Sequence, residues 1–297
     1  MPSVIDVFKE GIDLVKDNYF SALGMYLILL VVVLIIGVIV AAGAVATVIG
    51  GITTSHTGTY ATWPIVVIVA IVFAAMILVS PIWNGAYYSL AMQAMKKKGK
   101  ASLGKAIRES SKVYKKLLWT SVIQIFITLA IMVIAFLPFA IYSTSLLPLL
   151  KSSVSPSTGT STISSVISAL GFRSLFVLLF LIITIIIEAI VNFVLGALFY
   201  EAMPLAMLNG TSGLAAIKKS VAIGRKYFWS IVGLMILTAL FGVLVYAVME
   251  IAFAILSIIS PIVGLLAYFV ILVILESFLV GLSGFLPIVF YKRYVNA

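Results

Sequence analysis

The chain has 297 residues, 64% of them hydrophobic and only 9% charged, and its mean hydropathy is +1.30. A soluble domain is about half apolar and a quarter charged, so this composition excludes an ordinary globular core and any attached soluble catalytic domain. With no cysteine there are no disulfides, thiolate nucleophiles or cysteine-ligated metal centres, and the formal charge of +10 lies in discrete basic blocks that suit membrane topology better than nucleic-acid binding.

The first segment repeats Val4, Phe8, Ile12 and Val15 at the helical period, with Asp6, Glu10, Asp13 and Asp17 set against Lys9 and Lys16. These acids precede the first apolar run, so the segment reads as an amphipathic helix lying in the membrane interface and not as a signal peptide. Crossing a hydrocarbon core roughly 30 Å thick takes about 20 apolar residues. Runs of that length or more occupy 19–48, 63–93, 117–145, 172–205, 227–258 and 262–290, and several approach 30 residues, so they should tilt or protrude.

Three connections are expected on one side: Gly51 to Thr62, Leu147 to Gly171, and a tight turn at Ser260-Pro261. Ser152 to Ser165 contains no aromatic residue and no charge, the composition of a solvated loop. The basic blocks lie on the other side. They are Lys96, Lys97, Lys98, Lys100, Lys105, Arg108, Lys112, Lys115 and Lys116; then Lys218, Lys219, Arg225 and Lys226; then Lys292 and Arg293. Only Lys151 and Arg173 interrupt the pattern, so the positive-inside rule makes this a multi-pass protein of the cell membrane with both termini cytoplasmic.

The chain resembles itself three times. Ala106-Ile107-Arg108-Glu109-Ser110 and the following Leu118-Trp119-Thr120 align without a gap on Ala216-Ile217-Lys218-Lys219-Ser220 and Phe228-Trp229-Ser230. An earlier copy runs from Phe8-Lys9-Glu10-Gly11 to Tyr19-Phe20-Ser21. Each precedes an apolar hairpin, so the fold class expected is an all-α integral membrane protein: one membrane domain, 1–297, with six transmembrane helices in three pseudo-repeats, 3–95, 102–205 and 212–291.

In the second and third leading helices the apolar faces are Leu103, Ile107, Tyr114 and Leu118, and Leu214, Ile217, Val221 and Phe228, with Ser102 and Ser212 read as N-caps. Their basic residues, Lys105, Arg108, Lys112, Lys115, Lys116, Lys218, Lys219, Arg225 and Lys226, are candidate contacts for anionic headgroups or a partner; the plainer reading is that these are elbows that orient a hairpin. The acidic first helix could pack on the basic pair and close a ring.

A short amphipathic helix with an Ala-x-x-x-Ser core and a basic-aromatic exit into a hairpin, best seen in Ala216 to Ser220 with Tyr227-Phe228-Trp229 after Pro204 and Asn209-Gly210, resembles the polytopic membrane domain fused to some glycerophosphodiester phosphodiesterases and found in related stand-alone membrane proteins. The resemblance spans the chain and implies a three-unit membrane fold. The catalytic barrel of the fused enzymes has no counterpart in these residues, so neither hydrolase activity nor any catalytic residue carries over.

Signals of chemistry are few. His56, the single histidine, has no Asp, Glu or Cys nearby, so no metal site or histidine-dependent triad is expected. Gly99 to Ala106 comes within one residue of a phosphate-binding loop, but Ala106 replaces the magnesium-binding hydroxyl. The remaining polar signal is intramembrane: Glu188 with Asn192 one turn on, Glu250 and Glu276, together with Asn84 and Gln124, while Glu201 falls near the cytoplasmic end of the fourth run. Such groups either glue helices together by hydrogen bonds or line a proton or solute pathway. Ala42, Ala46 and Gly50 in the first run, and Ser277 and Gly281 in the sixth, form small-residue faces for close helix contact.

The expected function is a non-enzymatic scaffold or accessory subunit that organises lipids or a partner complex. The rival is a transporter or channel using Glu188 and Glu276, and third comes a membrane-embedded lipid enzyme. Membrane lipids are the expected partners, with a protein partner or further copies of the chain beside them; no cofactor and no metal are expected.

Overall fold

The computed structural model describes residues 2–54, 63–96, 101–153 and 163–296. His56, Lys97, Lys98, Lys100 and the start of the phosphate-loop-like stretch lie outside the described residues. Among those described, the chain is all-helical: α1 Val4–Asp17, α2 Tyr19–Thr54, α3 Trp63–Lys96, α4 Leu103–Lys112, α5 Tyr114–Ser153, α6 Ile163–Phe199, α7 Ala202–Leu208, α8 Leu214–Lys226, α9 Phe228–Ile259 and α10 Pro261–Phe290, closed by a π-helical turn, Tyr291–Val295.

Local chemistry accounts for most of these boundaries. Ser3 starts α1 with a capping box: its hydroxyl accepts the Asp6 N–H and the Asp6 carboxylate accepts the Ser3 N–H, each at 3.1 Å. Asn18 separates α1 from α2, its side-chain amide donating to the Leu14 carbonyl at 3.0 Å while its oxygen accepts the Ala101 N–H at 2.8 Å. The expected turn at Ser260-Pro261 is present, with Ser260 extended and Pro261 opening α10, where its missing N–H leaves no bond unmade.

Three expectations are corrected. Residues 147–153 and 163–171, expected as part of a loop over Leu147 to Gly171, are helical. The fourth apolar run is not continuous to residue 205 but breaks at Tyr200-Glu201. Finally, α8 is capped by Gly213 and not by Ser212: Gly213 has φ 58°, a conformation glycine adopts without strain, and its N–H donates to Thr120 Oγ1 at 2.9 Å. Ser102 does precede α4, yet its side chain makes no capping hydrogen bond.

Five described helical stretches are long and apolar enough to cross a membrane: Tyr19–Gly43, Tyr114–Leu137, Ile182–Leu208, Phe228–Ile258 and Pro261–Val295. Their surfaces agree with that reading. Val31, Leu34, Ile35 and Val38 of α2, Leu240, Val243 and Leu244 of α9, and Ile262, Leu265 and Leu266 of α10 are exposed aliphatic residues. A band of apolar surface on this scale is stable only against lipid.

The chain divides into two compact units, residues 1–122 with 198–297, and residues 123–197. In the first, α10 packs on α9, α1, α2 and α3, and α4 lies on α3. Its core is built from the C-terminal halves of α3 and α10, the start of α9 and the short helices: Tyr87, Leu90, Phe285, Leu286, Phe290, Leu205, Ile231 and Leu234 are all essentially inaccessible. Gly284 lets α10 meet α3 at Tyr87, where a Cβ would sit 2.6 Å from the Tyr87 Cβ. Ser277 and Gly281 are buried as expected, Gly281 against Ala22 and Val15, and Ser277 donates to the Tyr19 hydroxyl at 3.2 Å. Ala42 is exposed, and the side chains of Ala46 and Gly50 lie outside the described set. In the second unit, Thr184, Leu195 and Ala197 of α6 are buried, while Phe126, Val133 and Ile134 of α5 are exposed.

Candidate functional site

The short helices bury part of the apolar faces read from periodicity, Val15 in α1 and Ile217 in α8, together with small residues that the period did not select. In α4 the buried positions are Ala106 and Ser110, in α8 Ala216, Ile217, Ser220, Ile223 and Gly224, and in α1 Val7, Gly11 and Val15, whereas Leu214 is exposed. Small residues let a helix approach a neighbour closely enough for side-chain to backbone hydrogen bonds. Ser110 Oγ donates to the Ile82 carbonyl of α3 at 2.7 Å, and Ser220 Oγ to the Leu198 carbonyl of α6 at 2.9 Å. In α1, Gly11 lies against Leu286 and Leu282 of α10.

Nine residues after each of these positions comes an exposed aromatic ring: Phe20 (85% accessible), Trp119 (58%) and Trp229 (80%). All nine basic candidates, Lys105, Arg108, Lys112, Lys115, Lys116, Lys218, Lys219, Arg225 and Lys226, are exposed. Lys105 is 3.9 Å from Glu109, a carboxylate that also accepts from Ser89 and from Gln93 at 3.3 Å, and Lys226 lies 5.0 Å from the centre of the Tyr227 ring. The result is a short helix with one face sealed on the bundle, a charged face outward, and an amphipathic ring where the chain turns into the long helix.

The expectation that α1 packs on the basic helices is corrected. Its Val7-Gly11-Val15 stripe seats it on α10, with further contact to α9, and its described ion pair is Glu10 Oε2 to Arg293 Nε at 2.7 Å. Asp6, Glu10, Asp13 and Asp17 with Lys9 and Arg293 border an open groove of about 460 Å³.

The expected intramembrane polar residues are dispersed. In the second unit Glu188 and Gln124 are half-buried and Asn192 is exposed. In the first, Glu276 is half-buried, Asn84 is exposed, and Glu250 is exposed with the Tyr268 hydroxyl donating to it at 3.4 Å. Among the described residues, no side-chain hydrogen bond joins these six to one another within either unit.

Glu201 is not among the expected site residues. It occupies the break between α6 and α7, is 0% accessible, and neither carboxylate oxygen has a hydrogen-bond partner among the described residues. Its backbone is held: Ser220 Oγ accepts the Glu201 N–H at 3.2 Å and the Glu201 carbonyl accepts the Leu205 N–H at 2.9 Å. Among the described residues, the phenols of Tyr88 from α3 and of Tyr200 beside it are the titratable groups that interact electrostatically with it. Spacing could not single it out, because its burial is made by α3 and α8, which are remote in sequence.

Five long apolar helices with lipid-compatible surfaces define the class: a multi-pass membrane protein that is all-helical among the described residues. No family model matches the chain, and neither a curated protein nor a solved structure matches it. Among the described residues there is no cluster of three or more His, Cys, Asp or Glu side chains placed to hold a metal ion.

Proposed function

We propose that this chain is a non-enzymatic membrane scaffold or accessory subunit whose short basic helices gather anionic lipid headgroups and present them, or their own charged faces, to a partner complex. The proposal includes three units, 3–95, 102–205 and 212–291, six spans with α3 as the second, both ends in the cytoplasm, and membership of the membrane-domain group that the repeat resembles. One observation supports it above the rest: Gly11, Ser110 and Ser220 seal one face of each short helix, and Phe20, Trp119 and Trp229 lie exposed nine residues on. Aromatic rings at such an elbow favour the headgroup layer, and basic residues beside an anionic leaflet each contribute about 1 kcal/mol.

The test is native mass spectrometry of protein released from nanodiscs of mixed anionic and zwitterionic lipid. Wild type is expected to retain anionic lipid selectively. Replacing Lys218, Lys219, Arg225 and Lys226 by Gln is expected to lower that selectivity at least tenfold, since each charge is worth roughly fivefold. Equal retention of both lipid types by wild type would sink the reading. The rival, a pathway through Glu188 and Glu276, takes its place if reconstituted protein conducts a solute and Glu188→Gln or Glu276→Gln abolishes the flux.

A further inference from the structure

We infer that Glu201 is a proton-binding site, a carboxylic acid kept uncharged inside the helix ends where α6 breaks into α7, with its proton state coupled to the packing of that break. The geometry carries the argument. The side chain has no accessible surface and neither oxygen has a hydrogen-bond partner among the described residues. An ionised carboxylate in such a place has lost its hydration and gained nothing in return, a penalty of several kcal/mol even after relaxation. A proton removes the charge and requires no set of ligands around it.

Among the described residues, the groups that face Glu201 supply no counter-charge. From α3 comes the Tyr88 phenol, from its own turn Tyr200, and from α8 the hydroxyl of Ser220, which binds the backbone and not the carboxyl. Lys218, Lys219, Arg225 and Lys226 of α8 and Lys96 of α3 are all exposed. α7 packs on both of these helices, so a charge created at Glu201 must draw water between them or push them apart.

Packing alone does not call for an acid there, a point that rests on the three-unit reading. Glu201 lies three residues after Leu198, whose carbonyl binds the α8 serine; three residues after Ile82, which binds the α4 serine, the chain has Gly85, and three after Leu282, beside Gly11, it has Phe285. Gly85 and Phe285 are both buried. Neither of the other two equivalent places carries an ionisable side chain.

Infrared spectroscopy of the full chain in nanodiscs tests this directly. Wild type at neutral pH is expected to show the carbonyl band of a carboxylic acid free of hydrogen bonds. That band should vanish in Glu201→Gln and persist in Glu188→Gln and Glu276→Gln. Its absence from wild type, or its survival in Glu201→Gln, overturns the proposal, and so does its loss on adding sodium at constant pH, which would make the site one for a metal cation. Gln copies the shape and neutrality of the protonated acid, so Glu201→Gln is expected to match the thermal midpoint of wild type. Collapse of that variant would show that a carboxylate charge is what the site keeps, and would equally overturn the assignment. The lipid-selectivity measurement is unaffected by any of these outcomes, so failure here leaves the scaffold reading to its own test.

Discussion

Asp6 shows what one exposed carboxylate does for the start of a helix. Ser3, through its hydroxyl and then its backbone N–H, holds the Asp6 carboxyl below its ordinary value of 3.8. The ionised form is thus the one that stabilises folded α1: its contribution is complete above pH 3.8 and is lost as the pH falls through the lower value of the folded state. Protection of the first-turn amides of α1 against hydrogen exchange, corrected for intrinsic rates, is expected to drop across that acid range in wild type. In Ser3→Ala it should be low throughout, and equal protection in the two proteins would show that the cap does not hold the turn. Ser3 with Asp6 three residues on is a signature visible in sequence, because both partners are local. Glu201 is the opposite case. In the sequence it is one carboxylate near the end of an apolar run, no more distinctive than Glu188 or Glu276, and only the approach of α3 and α8 removes it from solvent.

At the scale of elements, the short helices were legible as amphipathic, and their seated faces only in part. Periodicity weights large apolar side chains and so selected Val15 and Ile217, which are buried, but also Leu214, which is exposed, and it passed over the buried small residues Gly11, Ala106, Ser110, Ala216 and Ser220. Close approach favours small residues, whose contribution to an apolar pattern is slight. The exposed aromatic rings then have a direct consequence. In variants retaining a single tryptophan, Trp119 and Trp229 fluorescence should be quenched strongly by spin-labelled lipid carrying the label at the headgroup, and Trp83, 9% accessible, only weakly. Deep-chain labels quenching Trp119 and Trp229 more than headgroup labels would remove these helices from the interface.

Over the whole molecule, the ends of the chain are tied together. The Tyr294 hydroxyl donates to the Pro2 carbonyl at 2.6 Å, the Tyr227 hydroxyl to the Tyr294 carbonyl at 2.8 Å, and the Tyr294 ring stacks on Phe290 with centroids 4.6 Å apart. Tyr294→Phe should therefore cost about 1 kcal/mol, one hydrogen bond. Tyr294→Ala should cost about 3 kcal/mol because the stacked ring goes as well, and should open α1 to limited proteolysis. Arg293→Ala, which removes a partly exposed ion pair with Glu10, is expected to cost no more than about 1 kcal/mol. Denaturant midpoints of the three variants in one detergent test this order, and an α1 as protected in Tyr294→Ala as in wild type would show that the C-terminal turn does not anchor it.

Local composition and period were enough to set the helical class, the long apolar stretches suited to lipid, the short amphipathic segments between them and the Ser260-Pro261 turn. These features are written in runs of residues that need no distant partner. Where α6 breaks, that Gly213 and not Ser212 starts α8, that α1 sits on α10, and that one carboxyl is sealed from water were settled only by the packed chain. Each of these depends on contacts between residues tens to hundreds of positions apart, and burial of a polar group is a property of its surroundings, which no spacing along the chain encodes.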